Sequence, residues 1–198
     1  NMKKKILITG CAGFIGFHTT LKFLKSSSYE IIGIDNINNY YDTNLKKNRL
    51  KILKKEKKFK FVKIDISKKN FINSLKKFNI VYIIHLAAQA GVRYSILRPE
   101  QYLKINIIGF FNVLELARVK NIKHLVYAST SSVYGDEKKV KLDENLACNH
   151  PIQFYAATKK SNEVMATSYS YIHKLPTTGL RFFTVYGPWG RPDMAFYK

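Results

Sequence analysis

The sequence predicts an α/β fold in which helices cover both faces of a doubly wound parallel sheet. Short apolar runs rich in β-branched residues alternate with longer amphipathic stretches, and the first 98 residues contain no proline. This alternation is typical of βαβ units on a parallel sheet. The 46% of apolar residues in the chain of 198 can fill a complete core, which excludes the disordered and collagen-like classes.

The pattern predicts six strands and five helices in chain order. The strands are expected at residues 5–9, 30–35, 59–64, 80–86, 123–129 and 177–182. The helices are expected at residues 14–27, 43–57, 69–78, 99–119 and 153–174. Asp42 or Thr43 caps the second helix, and Pro99 and Pro151 stand near helix starts, where proline is tolerated.

The formal charge of +21 comes from 34 basic and 13 acidic side chains, and 28 of the basic residues are lysine. Residues 43–79 alone contain 14 Lys and Arg against 2 acidic residues. Because Lys, Asn and Ile are in excess together, a general compositional bias explains this charge more simply than a binding surface. A nucleic-acid surface would interleave arginine and aromatic residues with the charge. We therefore expect no nucleic-acid partner.

Cys11 and Cys148 form neither a disulfide framework nor a CxxC pair, and the five histidines lack the spacing of a metal site. We therefore expect no metal, and a reducing, cytoplasmic location. Lys3 to Lys5 and the apolar residues after them superficially resemble a secretory signal, but glycines from Gly10 onward interrupt the run. No stretch approaches 18 uncharged apolar residues, so no membrane span is expected.

A glycine-rich turn joins the first predicted strand to the first predicted helix. Glycines there permit a tight turn and a close approach of the backbone to a pyrophosphate, while the helix N-terminus supplies N–H groups to the phosphate charge. In this context, glycines that serve only the turn are the less favoured interpretation. We therefore predict a dinucleotide site of the Rossmann type, with cofactor contacts from Gly10, Gly13, Phe14, Ile15 and Gly16.

Carboxylates end the second and third predicted strands. Asp35 follows Gly16 by 19 residues, where a carboxylate accepts hydrogen bonds from both ribose hydroxyls of a dinucleotide. A 2′-phosphate would be repelled by it, so the sequence favours NAD over NADP. Asp65 and Ile66 stand where a carboxylate can reach the adenine amine, although an aspartate there is more often only solvated.

Tyr155 and Lys159 form a YxxxK pattern, which places a phenol and an ammonium one helical turn apart on the same face. The ammonium is expected to stabilise the tyrosinate and to lower the pKa of Tyr155, so that the phenol acts as a base near neutral pH. The pattern is weak alone and strong downstream of the glycine turn.

The GxxGxxG spacing and the YxxxK pattern together resemble the extended short-chain dehydrogenase/reductases, a family of NAD-dependent epimerases and dehydratases. The resemblance implies that Tyr155 is the catalytic base, that Lys159 is its electrostatic partner and a ribose ligand, and that Thr130 helps to activate the substrate. Without the tyrosine and the lysine, residues 127–135 would be interpreted as a Ser/Thr-rich loop. The implied further cofactor contacts are Asn36, Leu86, Ala87, Ala88, Asn106, Ser129, Phe182 and Val185.

The residues after Thr130 bear on the reaction. Dehydratases and decarboxylases of the family carry acidic residues there, whereas this chain has Ser131 and Ser132. The remaining chemistry is oxidation at the sugar 4-hydroxyl, rotation of the 4-keto sugar and return of the hydride to its other face. This is 4-epimerisation, with NAD regenerated in each turnover.

Longer segments resemble the UDP-glucuronate 4-epimerases of bacterial capsule and lipopolysaccharide pathways over essentially the whole chain. These segments are residues 35–36, 40–42, 46–50, 89–95 and 178–195, and Cys11 is a departure from the pattern. A sugar carboxylate requires hydroxyl or amide donors. The implied substrate contacts are Gln89, Arg93, Thr130, Ser131, Ser132, Thr184 and Arg191. The two arginines are candidates for the carboxylate or the diphosphate, or else are surface cations.

Two other interpretations stay open: a UDP-glucose/galactose or other sugar-nucleotide 4-epimerase, and a basic Rossmann protein that binds without turnover. The resemblance implies that residues 1–176 form the NAD-binding domain. Residues 177–198 would supply the last core strand and only the beginning of a smaller substrate domain, so little activity is expected of this chain alone. Family members often pair through the helices at 99–119 and 153–174, which implies a homodimer.

Overall fold

The computed structural model describes residues 4–26, 28–137 and 141–194. Its sheet contains β1 (Lys5–Thr9), β2 (Glu30–Asp35), β3 (Phe59–Lys63), β4 (Ile80–His85), β5 (His124–Thr130) and β6 (Thr177–Phe182). The strands lie in the order β3-β2-β1-β4-β5-β6, and every neighbouring pair is parallel. The predicted doubly wound sheet is confirmed, with strand boundaries within one residue of those expected.

Seven α-helices are found in the described part of the chain. They are α1 (Phe14–Ser26), α2 (Thr43–Leu53), α3 (Phe71–Leu75), α4 (Val92–Leu97), α5 (Pro99–Tyr102), α6 (Gly109–Val119) and α7 (Phe154–His173). A π-helical segment (Leu103–Ile108) joins α5 to α6, and a 3₁₀ turn (Ser131–Tyr134) follows β5. Ser27 and residues 195–198, which end the first predicted helix and the last predicted region, lie outside the described residues.

The predicted second helix is four residues too long. It ends at Leu53 because residues 54–58 are all exposed and offer no apolar face to bury. At its start, Asp42 is the cap, since its carboxylate accepts the Asn44 N–H at 2.8 Å. The side chain of Thr43 makes no such contact in the helix cap.

Two further helix predictions are corrected. The helix expected at 69–78 is only the short α3, because the chain turns after Leu75 to bury Phe78 and Ile80. The helix expected at 99–119 is divided by the π-helical segment, and α4 was not predicted at all. The π-helical segment turns Asn106 inward, where its amide satisfies buried backbone groups. This long-range requirement outweighs the local preference for a continuous α-helix.

The core lies on both faces of the sheet. Ile6 and Ile8 of β1 pack on one side with Phe17 of α1, while Leu7 packs on the other with Phe110 of α6. Burial on both faces explains why the central strands are continuous apolar runs. Each fully buried apolar side chain contributes roughly 1.5–3 kcal/mol to folding.

The winding direction changes at the centre of the sheet. From β1 the chain proceeds to β2 and β3 on one side, then crosses back to β4, β5 and β6 on the other. In sheets of this kind a crevice opens beyond the carboxyl ends of the strands at this point. The residues predicted to bind ligands follow these strand ends, so the fold directs them to one crevice.

Candidate active site

A cavity of about 400 Å³ opens at the carboxyl ends of the strands. The glycine turn, the ends of β2, β4, β5 and β6, and the first turns of α7 form its wall. Most of the predicted site residues line it: Gly10, Gly13, Phe14, Ile15, Gly16, Asp35, Asn36, Ile66, Leu86, Ala87, Ala88, Gln89, Ser129, Thr130, Tyr155, Lys159, Phe182, Thr184, Val185 and Arg191. The fold therefore brings together groups that are up to 181 positions apart in the chain.

Five predicted site residues do not line this cavity. Asp65 borders a smaller neighbouring pocket, which it shares with Asn36. Arg93 is exposed on α4, and Asn106 is buried behind the cavity wall. The remaining two, Ser131 and Ser132, lie in the 3₁₀ turn that leads away from Thr130.

Two positions in the turn after β1 must be glycine, because other backbone atoms lie where a Cβ would be. Gly10 has a φ of 72°, and a Cβ there would lie 2.8 Å from the amide nitrogen of Ala87. A Cβ on Gly16 would lie 2.0 Å from the carbonyl oxygen of Gly10. Any side chain at either position would force apart the turn, α1 and the end of β4. The turn therefore presents backbone to the cavity at the N-terminus of α1, which is favourable for an anion.

Asp35 is fixed at the wall of the cavity. Its carboxylate accepts the backbone N–H groups of Ala12 at 3.1 Å and Ile37 at 2.8 Å. Burial raises the pKa of Asp35, while these hydrogen bonds and the positive charges of Lys46 and Arg49 oppose that rise. Asp65 differs from Asp35: burial would raise its pKa, but hydrogen bonds from Ser67 hold the pKa of Asp65 below its ordinary value.

Lys46 lines the cavity near Asp35 and was missed as a site residue. Its ammonium donates to the backbone carbonyl of Asn38 at 2.8 Å and to the Asn38 side chain at 2.6 Å. The preference for NAD was inferred from the Asp35 carboxylate alone, yet the fold brings the cations Lys46 and Arg49 of α2 close to it. The only available signal was position, because the Asp42 cap places both cations in the first two turns of α2.

Arg49 joins three segments around the cavity. The side chain is fully buried and donates to the Ala12 carbonyl at 2.9 Å and to the Tyr41 hydroxyl at 2.8 Å. It also donates to the carbonyls of Trp189 and Gly190, the latter at 3.3 Å. Helix α2 thus ties the glycine turn to the segment 187–194.

The three proposed catalytic residues meet at one side of the cavity. Thr130 ends β5, and its hydroxyl hydrogen-bonds with the Tyr155 phenol of α7. The Thr130 hydroxyl also accepts the Ser132 N–H at 3.2 Å. Lys159 lies one turn further along α7 and is buried, with an exposed fraction of 2%. The YxxxK spacing therefore puts Tyr155 and Lys159 one turn apart on α7, and both line the cavity together with Thr130.

The expected lowering of the Tyr155 pKa is wrong for this structure. Burial raises the pKa of Tyr155, and the Thr130 hydrogen bond and the Arg191 charge act only partly against it. The Lys159 ammonium instead donates to Asn162 Oδ1 at 3.4 Å. Burial lowers the pKa of Lys159 to about 8, with Glu163 acting in the opposite direction. Desolvation, which the spacing does not show, dominates both groups.

His85 is buried at the end of β4, close enough to Lys159 to feel its charge, and was also missed. The Thr9 hydroxyl accepts the N–H groups of Leu86 and Ala87, each at 3.1 Å, and lies 2.8 Å from His85 Nδ1. With both lone pairs used, the hydroxyl donates its proton to Nδ1, which assigns the His85 proton to Nε2. Burial, assisted by the charge of Lys159, lowers the pKa of His85 to about 3. His85 is therefore neutral at ordinary pH.

Asn106 acts from behind the wall. Its Oδ1 accepts the Gln89 N–H at 2.8 Å, and its Nδ2 donates to the Gln89 carbonyl and to Thr158 Oγ1, both at 3.1 Å. The Asn106 carbonyl in turn accepts a hydrogen bond from Asn162 Nδ2 at 2.7 Å. Asn106 thus fixes the loop after β4 against α7, whereas the resemblance implied a cofactor contact.

The segment after β6 crosses the mouth of the cavity. Arg191 lines the cavity, and its Nε donates to Asp193 Oδ1 at 3.1 Å. The Tyr40 hydroxyl donates to Asp193 Oδ2, also at 3.1 Å. Tyr40 and Asp193 were missed because their 153-residue separation has no sequence signature.

With this geometry established, the family of the chain can be stated. A family model described as GDP-mannose 4,6 dehydratase matches residues 7–196. The chain belongs to the GDP-mannose 4,6 dehydratase family. Membership confirms the resemblance to the NAD-dependent epimerases and dehydratases that the glycine and YxxxK motifs indicated.

Curated relatives and solved structures narrow the comparison. The chain is 53% identical over 197 residues to Protein CapI of Staphylococcus aureus, covering 98% of the chain and 58% of that protein. It is 47% identical over 195 residues to a probable UDP-glucuronate 4-epimerase of Rhizobium meliloti, covering 98% and 57%. A crystal structure of UDP-glucuronic acid 4-epimerase from Bacillus cereus, in complex with UDP-glucuronic acid and NAD, matches with a TM-score of 0.91 at 38% identity, covering 98% of this chain and 60% of that one. The chain thus spans about three fifths of these relatives.

In the part of the chain that the structure describes, no three His, Cys, Asp or Glu side chains come together in a manner that would hold a metal ion. Among the helices described, none combines the length and the apolar character needed to cross a bilayer.

Proposed function

We propose that this chain is the cofactor-binding and catalytic part of an NAD-dependent 4-epimerase that converts UDP-glucuronate to UDP-galacturonate. The observation that carries the proposal is the meeting of Thr130, Tyr155 and Lys159 in one cavity with the glycine turn and Asp35. The UDP-glucuronic acid and NAD bound by the Bacillus cereus enzyme support the same substrate and cofactor here. The name Protein CapI is consistent with a role in capsule or lipopolysaccharide precursor synthesis.

The residues present fit NAD. Gly10 and Gly16 let the turn pack closely on the end of β4 and on itself, so that its backbone lines the cavity together with the Asp35 carboxylate and Lys159. Asp35 would accept hydrogen bonds from the adenosine ribose, the start of α1 would face the pyrophosphate, and Lys159 would reach the second ribose. When bound, NAD would accept a hydride from sugar C4 and later return it.

The chain's own residues would move the proton. Tyr155 would start as the phenolate and take the proton of the 4-hydroxyl as hydride leaves C4, which produces a 4-keto sugar and a neutral phenol. Thr130 would hold the sugar oxygen near the phenol. After the sugar turns over, the hydride would return to its other face, and Tyr155 would give the proton back to the oxygen. The atoms and charges balance over the cycle, and neither step needs a second acid or base.

An acidic sugar fits the wall opposite the glycine turn. Thr130, Thr184 and Arg191 line it and can donate to a carboxylate, at about 1.5–3 kcal/mol for each hydrogen bond to the charged group. Ser131 and Ser132 are proposed as further donors on their position directly after Thr130. Arg93, exposed and outside the cavity, fits the alternative of a surface cation.

The whole protein is proposed to be a homodimer that acts in the cytoplasm on a UDP-sugar. Apolar side chains are exposed along the π-helical segment, α6 and α7, including Leu103, Ile108, Phe111 and Val164. Such a face is characteristic of a protein–protein contact. We also propose the division into an NAD-binding domain at 1–176 and, from 177, the last core strand with the start of a substrate domain.

Cofactor choice is tested by titrating NAD and NADP into the wild type and an Asp35→Ser variant at fixed salt. We expect the wild type to prefer NAD by at least about tenfold, or 1.4 kcal/mol. The variant should bind NADP more tightly, because the carboxylate is lost while Lys46 and Arg49 remain. Equal affinities of the wild type for the two cofactors would contradict the role of Asp35.

Substrate class is tested by assaying the whole protein with UDP-glucuronate and UDP-glucose. Conversion of UDP-glucuronate alone supports the proposal, and conversion of UDP-glucose alone supports the neutral-sugar alternative. Salt-sensitive retention of nucleic acid, without NAD binding or turnover, would instead indicate the non-enzymatic alternative.

A further inference from the structure

The position of the Lys159 ammonium is not determined by the place of this residue on α7 alone. Its long side chain has to cross a buried region and present its ammonium to the cavity at a defined point. The rotamer of Lys159 therefore depends on a polar side chain that contacts its ammonium. The next buried polar side chain on the same face of α7 is Asn162, with an exposed fraction of 0%.

Asn162 uses both ends of its amide. Its Oδ1 accepts the Lys159 ammonium at 3.4 Å, and its Nδ2 donates to the backbone carbonyl of Asn106 at 2.7 Å. This orientation of the amide is required, because an ammonium only donates and a carbonyl only accepts. A flipped amide would leave both partners unsatisfied.

The Asn106 end of this contact lies in the middle of the π-helical segment. There the Gly109 N–H bonds to the Lys104 carbonyl, five residues earlier, so the helix is locally widened. Widened turns of this kind are frequent at functional sites. Asn106 is itself tied to both backbone groups of Gln89, which lines the cavity. The position of the Lys159 ammonium is thereby fixed relative to the cavity wall through Asn162 and Asn106.

Glu163, the acidic residue of the same helix, forms hydrogen bonds with β5 and β6 rather than with Lys159. Glu163 is held by Arg181, with both N–O distances at 3.0 Å, and by the Ser129 hydroxyl at 2.6 Å. The groups that interact with Lys159 are therefore the neutral His85 of β4, Glu163 of α7 and the Asn162 amide. An amide orients an ammonium without adding the negative charge that a carboxylate would place beside Tyr155.

We propose that Asn162 is a positioning residue for the epimerase reaction, which holds the Lys159 ammonium toward the cavity and couples it to Asn106 of the π-helical segment. The inference rests on the proposed function, since it concerns the lysine that would bind ribose and stabilise the Tyr155 phenolate. Asn162 lies outside the cavity wall and acts through Lys159.

The test compares Asn162→Leu, Asn162→Asp and Ser161→Ala in the whole protein. Ser161 is an exposed neighbour on α7 and serves as the matched control. Asn162→Leu should lower kcat about 10- to 100-fold with KM for the UDP-sugar within about twofold, because the ammonium is misplaced. It should also weaken NAD binding by this chain. The control should match the wild type in all of these measurements.

The aspartate variant separates positioning from simple structural support. A carboxylate at 162 favours the Lys159 ammonium and disfavours the Tyr155 phenolate, so both limbs of the pH–rate profile should move to higher pH. An aspartate that does not interact with the Lys159 ammonium would lower activity or stability without moving the profile. Should Asn162→Leu fail to fold, Asn162→Ser, which removes the contact with Lys159 without adding a charge, carries the kinetic part of the test.

The outcomes are distinguishable. An active wild type with folded variants of unchanged kcat, NAD affinity and pH profile overturns the positioning role alone. A wild type that epimerises no UDP-sugar overturns the proposed function, and the positioning role with it. The expected loss of kcat together with the shifted profile supports both.

Discussion

The phenol of Tyr155 is the residue on which the proposed chemistry depends most directly. Tyr155→Phe removes the proton acceptor and leaves the ring, so the cofactor wall is preserved. We expect the variant to lose roughly 10²–10⁴ in turnover of the whole protein while still binding NAD. Turnover is measured with UDP-glucuronate and binding by titration. Tyr171→Phe, an exposed phenol near the end of α7, is the control.

Near-normal turnover of the phenylalanine variant would remove Tyr155 from the catalytic role. Loss of NAD binding would instead show that the phenol supports the cofactor site.

Burial of Lys159 makes the stability of the chain depend on pH. Its pKa is lowered to about 8 in the folded state, against an ordinary value near 10.5. Below pH 8 both states bind the proton, and the cost of burying the ammonium is fully present. Between pH 8 and 10.5 Lys159 stays protonated in the unfolded state but loses its proton in the folded state. The contribution of Lys159 to the free energy of unfolding therefore rises with pH, by about 3 kcal/mol in total.

Lys159→Met removes this contribution. We expect the variant to be more stable than the wild type at pH 7.5, and the difference to shrink toward pH 10. Urea unfolding of both proteins at the two pH values measures it. Because both share all tyrosines, the ionisation of the unfolded tyrosines cancels in the comparison. A difference that is independent of pH would contradict the lowered pKa of Lys159.

At the scale of elements, α2 has a second role that its sequence does not show. Periodicity predicts a helix with one apolar stripe, and Leu50 and Leu53 form it. Arg49 lies beside them, yet its charged head is inside the protein and binds carbonyls of the glycine turn and of segment 187–194. A buried guanidinium is therefore the link between two sides of the cavity.

Arg49→Met retains the length of the side chain and removes these hydrogen bonds. The expected loss is about 2–4 kcal/mol in the free energy of unfolding, since the buried carbonyl of Ala12 and the partly buried carbonyls of Trp189 and Gly190 lose their donor. NAD should also dissociate faster, because segment 187–194 is no longer held to the glycine turn. Urea unfolding and stopped-flow displacement measure the two effects.

Lys47→Met, on the exposed side of α2, is the control and should change stability by no more than about 0.5 kcal/mol. Equal stability of the two methionine variants would show that Arg49 contributes nothing net.

The helices at 92–119 show where element prediction from sequence fails. Pro99 correctly indicates a helix start, and Gly109 to Val119 are helical as predicted. The π-helical segment between them exists because Asn106 has to meet Gln89 and Asn162, partners 17 and 56 positions away. Local periodicity contains no information about such partners.

At the scale of the whole molecule, the exposed apolar face of α6 and α7 makes association testable. Val164 is 60% exposed and Phe111 is 44% exposed. We expect the whole wild-type protein to sediment as a dimer at tens of micromolar, and Val164→Glu to sediment as a monomer, because a buried unpaired carboxylate is costly. Lys25→Glu, a charge change near the end of α1 on another helix, is the control. A monomeric wild type would contradict the homodimer.

The sequence by itself determined the sheet, the glycine turn and the catalytic spacing. These depend on short-range properties: continuous apolar runs that suit buried strands, the positive φ that Gly10 supplies, and the single turn of helix between Tyr155 and Lys159. Each can be predicted from a few adjacent residues.

Only the tertiary structure decided the electrostatics of the site. It brought Lys46 and Arg49 to Asp35, engaged Lys159 with Asn162, and buried Tyr155 so far that its pKa rises where the spacing predicted a fall. The physical reason is that desolvation and hydrogen bonding depend on everything packed around a group. Apart from Asn162, which lies one helical turn from Lys159, these neighbours come from other segments, and their approach is specified by the packing of the whole sheet and its helices.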